Sequence, residues 1–295
     1  MNANVVERIS VIVVAADSGD DLLRCVDSVM QSSVPLELIV CDNNSADGSI
    51  EALQLQHASD SRLRIVRNNA NLGFGAACNR AAAIATGDVL LILNPDCVVE
   101  PETMSRLRSI LDGDPGIGLV GATIVDKDGH YEPASRRRDP LLRRALMTKS
   151  GLAAFERNSQ SFDGANIARL QSLPIEDVDA VSGALMMMRK EVFDRIGGFD
   201  EGYFLHCEDL DLCRRVRDAG ARVVCANDIR VVHAKGTSSR SRPIFVARHK
   251  HRGMWRWFNK FDPAARNPFL RALVWCGLWT HFALSLPRYL WARQR

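Results

Sequence analysis

The sequence predicts an α/β fold, a mostly parallel sheet with helices on both faces, followed by a helical C-terminal tail. Three observations predict it. Near-continuous apolar runs such as residues 9–15 and 89–93 read as strands buried on both faces. The segments between such runs carry apolar residues at helical spacing. Strand and helix alternate through the first 125 residues, the pattern of parallel strands joined by crossover helices.

Residues 9–15 form the first strand, and Leu22, Leu23, Val26, Val29 and Met30 then share one helical face. Residues 36–41 are a second strand, after which Asp47 caps a helix starting near Ser49. Residues 63–66 read as a third strand and the alanine-rich stretch 76–86 as a helix ended by Gly87. Residues 89–93 are the clearest buried strand. Pro101 opens a helix whose Met104, Leu107 and Leu111 face one way. Residues 117–125 are a strand that turns at 126–129. The rhythm is lost over residues 130–176, which hold Arg136, Arg137, Arg138, Arg143 and Arg144. That stretch reads as an irregular surface excursion of the kind that borders sites. Order returns with a strand over 181–188 and a short helix over 189–196, stopped by Gly197 and Gly198. A helix over 208–219 and strands over 222–226 and 229–233 follow.

The chain has 295 residues, 46% hydrophobic and 25% charged, which excludes a disordered, collagenous or disulfide-scaffold protein. Its eight cysteines include no CxxC pair, so neither a zinc ribbon nor a thioredoxin-type site is signalled, and a reducing compartment is expected. The first eight residues hold charges and no apolar stretch, so no signal peptide is expected. Twelve Lys and Arg but one acid, Asp262, fall from Arg240 onward. That segment therefore carries +11 of a net +3, leaving −8 for the rest. The expected division is a catalytic domain over 1–239 and a basic, aromatic-rich helical segment over 240–295. Trp275, Trp279 and Trp291 sit among aliphatics, which favours an anionic membrane surface over nucleic acid as partner. Arg271 and His281 interrupt the apolar stretch, so a helix lying in the interface is expected, with a soluble packing helix and then a span as the alternatives.

Ligands of open α/β sheets bind outside the carboxyl ends of the strands. Asp17, Asp42 with Asn44, and Asn94 with Asp96 follow three strand ends here. Each carboxylate has two roles open to it, helix capping or binding of a hard cation that also takes phosphate oxygens. The loop Asn71-Leu72-Gly73-Phe74-Gly75 lacks the third glycine of a dinucleotide loop and follows the third strand, so a dinucleotide site is not expected. Its backbone N–H groups at a helix start still suit a phosphate. Glu208, Asp209 and Asp211 crowd one helix start, where the dipole alone favours them. Asp209 lies in register with Leu212, Cys213 and Val216, and an inward acid with acidic neighbours should titrate high, as a general base does. Arg214 is the expected partner of Asp211. His233 ends the last strand, as a structural residue or as a neighbour of a metal or leaving phosphate.

Together these motifs resemble family 2, GT-A fold glycosyltransferases, in particular the bacterial rhamnosyltransferase branch. The resemblance covers residues 9–258. It rests on the segment 42–49, on 71–75 with Asn79, on 93–96, on 182–184 before 197–201, on 208–212, and on His233 with Gly236 and Ser238. It implies Mg²⁺ or Mn²⁺ held by Asp96 and His233, in a DxD motif whose first acid is replaced by Asn94. It implies that Asp209 deprotonates an acceptor hydroxyl with inversion at the sugar. Asp17, Asp42, Asn44, Asn71, Gly73, Phe74, Asn79, Asn94 and Glu208 would bind the nucleoside-diphosphate sugar, with dTDP-L-rhamnose favoured. Arg136 and Arg137 would serve an acceptor, a glycan or polyprenyl-linked sugar at the cytoplasmic face of the membrane. Two alternatives are a UDP-hexose donor and an inactive homologue that only binds nucleotide sugar or glycan. Asp17 departs from the family, whose first strand ends in a small or hydroxyl residue, an aromatic and Asn.

Overall fold

The computed structural model describes residues 8–149, 173–234 and 242–292. The chain runs β1 (Ile9–Ala15), α1 (Gly19–Met30), β2 (Leu36–Asp42), α2 (Ser49–Gln56), β3 (Leu63–Arg67), α3 (Phe74–Ala82), β4 (Val89–Leu93), β5 (Cys97–Val98), α4 (Thr103–Gly113) and β6 (Ile117–Val125). After them come β7 (Arg136–Arg137), α5 (Leu142–Lys149), β8 (Ile175–Asp177), β9 (Ala180–Val181), β10 (Leu185–Arg189), α6 (Lys190–Arg195), α7 (Glu208–Asp218) and β11 (Arg222–His233). The central sheet has the order β3-β2-β1-β4-β10-β6-β11-β5, with β8 against β11. β3, β2, β1 and β4 are parallel neighbours, as the alternation of strand and helix requires, and β6 is parallel to β11. β10 is antiparallel to both β4 and β6 and divides the two parallel groups.

Both faces of the sheet are buried. Val11 and Val13 of β1 pack with Leu22, Leu53 and Leu107 of α1, α2 and α4. Ile12 on the other face packs with Ala77, Cys213 and Trp257. This two-sided burial is why the strands read as unbroken apolar runs. The structure departs from the sequence reading in three places. The strand expected over 181–188 is two strands, β9 and β10, separated by residues 182–184. The strands expected over 222–226 and 229–233 are one strand with a bulge between Ala226 and Arg230. The excursion contains helix α5, whose arginine-rich sequence hid its periodicity.

The 240–295 segment divides in two. The penultimate helix (Pro243–Phe261) packs on the body, with Trp257 and Phe258 only 1% and 5% exposed. Its Lys260 Nζ lies 2.7 Å from both Asp200 and Asp211. A short turn over Pro263–Arg266 leads to the last helix (Pro268–Ala292), which rests along the penultimate one. His251 Nε2 lies 3.0 Å from His281 Nδ1, and the His251 ring meets Phe282 edge-on. The outer face is open, with Phe269, Leu273 and Leu284 at 85%, 68% and 76% exposure. Residues Pro268–Arg288 are long and apolar enough to cross a membrane by length and composition.

Trp257→Ala should cost about 3–5 kcal/mol, the price of a large cavity in a shared core. Thermal unfolding checks this, and an unchanged melting temperature would show that the penultimate helix is not part of the folded body.

Candidate functional site

The carboxyl ends of β1, β2 and β4 open onto a cleft of about 200 Å³. Asp17, Asn43, Asn71, Gly73 and Phe74 line one side, with Asn94, Pro95 and Asp96 beside them. Phe204, Leu205, Arg242 and Phe245 complete the lining, with Phe204 seated on the Gly73–Phe74 turn. Asp17 sits at φ 52°, a conformation its short polar side chain tolerates by bonding locally. Its Oδ1 accepts the Ala46 N–H at 2.8 Å, and Arg242 stands 3.9 Å from its Oδ2 across the cleft mouth. The charge of this unusual acid is therefore partly answered by the C-terminal segment.

Asp42 is buried below the cleft, where its Oδ1 accepts the Ser45 N–H at 2.8 Å. Asn43, which the sequence reading did not single out, holds the floor together. Its Nδ2 donates to Gly73 O at 3.1 Å, and its Oδ1 accepts from Asn68 Nδ2 at 2.8 Å. Gly73 is at φ +85°, and a Cβ there would stand 2.5 Å from Phe204 O, so the loop admits only glycine. The Gly73 N–H donates to Asn71 Oδ1 and the Phe74 N–H to Phe204 O, both at 3.0 Å. The Leu72, Gly73 and Phe74 N–H donors are therefore engaged within the protein, which weighs against this loop as the expected phosphate cradle. Asn44 is exposed on a turn at φ 63°, outside the cleft lining. Asn79 also lies outside it. Its Nδ2 donates to Phe199 O and Glu201 at 2.9 Å, and its Oδ1 accepts the Phe199 N–H at 2.8 Å, clamping α3 to the loop before α7.

At the cleft edge three chain segments converge. His233 at the end of β11 places Nε2 3.1 Å from Asp96 Oδ1 and Nδ1 3.2 Å from Glu132 Oε1. Burial works against a charged imidazole, yet the bonds and charges of Asp96 and Glu132 raise the His233 pKa above its ordinary value. Asp96, Cys97 and His233 bring ligand atoms within 4.8 Å of one another. Burial lifts the Cys97 thiol well above its usual range, and it donates to Ala184 O at 3.5 Å. The remaining carboxylate and imidazole fit Mg²⁺ or Mn²⁺, leaving other positions for water and phosphate oxygens. Lys235, Gly236 and Ser238 lie outside the described residues.

The first turn of α7 holds the densest charge. Cys207 and the preceding His206 both adopt positive φ, 71° and 68°, which turns the chain sharply into the helix. Asp209 accepts from Arg137, from the Gly183 N–H at 3.1 Å and from the Leu210 N–H at 2.8 Å. Burial tends to raise its pKa, but Arg137 and the two N–H groups outweigh it and hold the carboxyl below its usual value. The expectation that Asp209 titrates high is thus overturned by a cation that sequence spacing does not reveal. Glu208 is the acid that titrates high. Burial and the Asp209 charge push it up to about 8, and its Oε2 has no hydrogen-bond partner among the described residues. Asp211, 0% exposed, is held by Arg215 and Lys260, not by Arg214. Arg136 faces away from Asp209, buried beside Glu176 at 3.6 Å with a bond to Asn227 at 3.1 Å.

Residues 10–197 match the family described as glycosyl transferase family 2, and residues 174–237 match the N-terminal domain of galactosyltransferase. N-acetylglucosaminyl-diphospho-decaprenol L-rhamnosyltransferase of Mycobacterium tuberculosis (strain H37Rv) is 29% identical over 83% of this chain and 86% of its own length. Rhamnosyltransferase WbbL of Escherichia coli K12 is 26% identical over 57% of this chain and 63% of its own. A mannosyltransferase of Pyrobaculum calidifontis, solved in complex with GDP-Man and Mn²⁺, superposes with TM-score 0.62 at 20% identity, covering 97% of this chain and 73% of that one. Residues 1–349 of S. aureus TarS, solved with UDP-GlcNAc, superpose with TM-score 0.57 at 15% identity, covering 93% and 80%. These structural likenesses concern the fold.

The Glu208 proton makes stability depend on pH. From about pH 4.5 to 8 the folded chain keeps a proton that the unfolded chain has released, so this group draws stability down as pH rises. Glu208→Gln keeps the neutral shape and should flatten that decline. Melting temperatures of both proteins across this range check it, and identical slopes would show that Glu208 is ionised in the fold.

Proposed function

This chain belongs to glycosyl transferase family 2 and is a glycosyltransferase, and we propose that it moves L-rhamnose from dTDP-L-rhamnose to a hydroxyl of a lipid-linked glycan acceptor. The observation that carries this reading is its likeness, over 83% of the chain, to a protein named as an L-rhamnosyltransferase acting on a diphospho-decaprenol-linked sugar. The nucleotide would occupy the cleft between Asp17 and Asn94, with Phe74 and Asn71 on its wall.

In this reading Asp96 and His233 would hold Mg²⁺ or Mn²⁺, which would supply positive charge against the departing nucleoside diphosphate. Asp209 serves as the base. Its carboxylate is ionised through the neutral range and therefore able to accept a proton. The acceptor oxygen attacks the anomeric carbon, the bond from that carbon to the phosphate oxygen breaks, and the hydroxyl proton passes to Asp209. One base on the face opposite the leaving group gives inversion. Arg137 keeps Asp209 in place and ionised. Arg136, buried in its own pair, acts on the fold and not on the acceptor.

We also propose that the last helix docks the enzyme on the cytoplasmic membrane face. The +11 charge from Arg240 onward and the exposed Phe269, Leu273 and Leu284 support this. His281, midway along that helix, touches His251 on the body, which suits a helix lying in the interface better than one crossing the bilayer.

Asp209→Asn keeps the size and the helix start but cannot take the proton. Its kcat should fall on the order of 10² or more with donor affinity nearly intact. Thermal-shift titration with dTDP-L-rhamnose and with UDP-sugars tests the donor. Stabilisation by UDP-sugars alone would overturn the rhamnosyl assignment, and wild-type turnover by the Asn variant would remove Asp209 from the mechanism.

A protein lacking residues 269–295 should lose flotation with anionic vesicles while keeping donor binding. Full-length binding should weaken but persist at high salt, because each basic group contributes up to about 1 kcal/mol that salt screens while apolar burial is unaffected. A full-length protein that ignores the vesicles would refute the membrane reading.

A further inference from the structure

Glu132 has no role in the scheme above, yet it is the second carboxylate on the His233 ring. Its Oε1 lies 3.2 Å from Nδ1, while Asp96 Oδ1 lies 3.1 Å from Nε2. The two acids therefore grip opposite edges of one imidazole. Glu132 meets Nδ1, the ring nitrogen other than the one beside Asp96.

The backbone holds Glu132 firmly in that place. After β6 the chain folds back, so that Tyr131 bridges Val125 and the Glu132 N–H donates to Ile124 O at 2.9 Å. Its own carbonyl accepts the Ser135 N–H at 3.0 Å and the Ser135 hydroxyl at 2.8 Å. His233 is fixed just as well. β11 runs beside β6 with Val232 opposite Val125, and His233 itself pairs with Cys97. The Ala234 N–H donates to Asp96 O at 2.8 Å, closing the loop between the two cation-side residues. The side chains of Glu132, Asp96 and His233 are only 10%, 13% and 16% exposed, so water competes little for these bonds.

We propose that Glu132 is a positioning residue that accepts the Nδ1–H of His233, fixing the tautomer whose Nε2 is free to ligate the cation beside Asp96. A neutral imidazole carries one proton on either nitrogen, and an acceptor at one nitrogen leaves the lone pair on the other. A carboxylate behind a ligating histidine also holds the ring plane and raises the basicity of the ligating nitrogen. The inference rests on the reading of Asp96 and His233 as a cation site, and the experiment separates the two.

The probe is Mn²⁺, titrated into full-length protein in the presence of dTDP, with free Mn²⁺ followed by its electron paramagnetic resonance signal. Nitrogen couplings in the bound-Mn²⁺ spectrum report imidazole ligation directly. Glu132→Ala should weaken Mn²⁺ binding by about 10–100-fold and diminish the nitrogen coupling. Glu132→Gln keeps an acceptor oxygen and should recover part of both, which a merely structural loss would not do. Melting temperatures identify any variant that fails to fold, and the Gln variant then carries the test. Wild-type affinity and coupling in both Glu132 variants, with binding lost in Asp96→Ala and His233→Ala, would overturn the positioning role alone. Wild-type affinity in all four variants, or no Mn²⁺ binding by the unaltered protein, would overturn the cation site and this inference with it.

Discussion

Three carboxylates in the first turn of α7 must be accommodated almost without water, and much of the architecture follows from how each is satisfied. Asp211, wholly buried, takes Arg215 from its own helix and Lys260 from the penultimate helix. Asp209 takes Arg137 from the excursion after β6. Glu208 keeps its proton instead, because burial and the Asp209 charge outweigh the pull of Arg137. An unpaired buried charge costs several kcal/mol, so the pairing of Asp209 and of Asp211 each ties a remote segment to α7. The excursion and the C-terminal helix are thereby anchored around one helix start. The same logic extends outward, where Leu142 at the head of α5 donates its N–H to Asp262 at the end of the penultimate helix.

The nucleotide side of the molecule is organised differently, by neutral polar groups. Asn43, Asn71 and Asn79 link the loops that follow β2, β3 and α6 through bonds of 2.8–3.1 Å. These amide bonds add no fixed charge, which leaves the charge on the cleft lining to Asp17, Asp21, Asp96 and Arg242.

The strands were legible because burial on both faces writes an unbroken apolar run into the sequence, as in Val89 to Leu93. The break at residues 182–184 was not, because Ser-Gly-Ala between apolar flanks carries too little contrast to mark a turn. The inserted antiparallel β10 was equally hidden, since strand order depends on contacts between residues about 95 apart. Of the candidate residues after strand ends, Asp17, Asn94 and Asp96 line the cleft, as their position suggests, while Asn44 does not. Partners were not legible. Arg136 and Arg137 are neighbours of one type, yet strand alternation sends them to opposite sides, one to Glu176 and the other to Asp209. Glu132 lies in the stretch with no periodicity, and nothing in its neighbourhood announces a histidine 101 residues away.

The penultimate helix lines the cleft with its first turn and meets the last helix at His251. Phe245 is on the cleft wall and His251 is at the contact with His281, about 9 Å further along the same rod. The rod thus behaves as a gauge. Whatever the outer face of the last helix rests against, the cleft stands off from it by a fixed height and at a fixed angle. One residue inserted between Phe245 and His251 would add about 1.5 Å and turn everything beyond it by about 100° around the rod, taking Trp257, Phe258 and Lys260 out of register with the body along with His251. The rod that sets the standoff also holds the α7 start through Lys260, so aim and chemistry share one part of this chain.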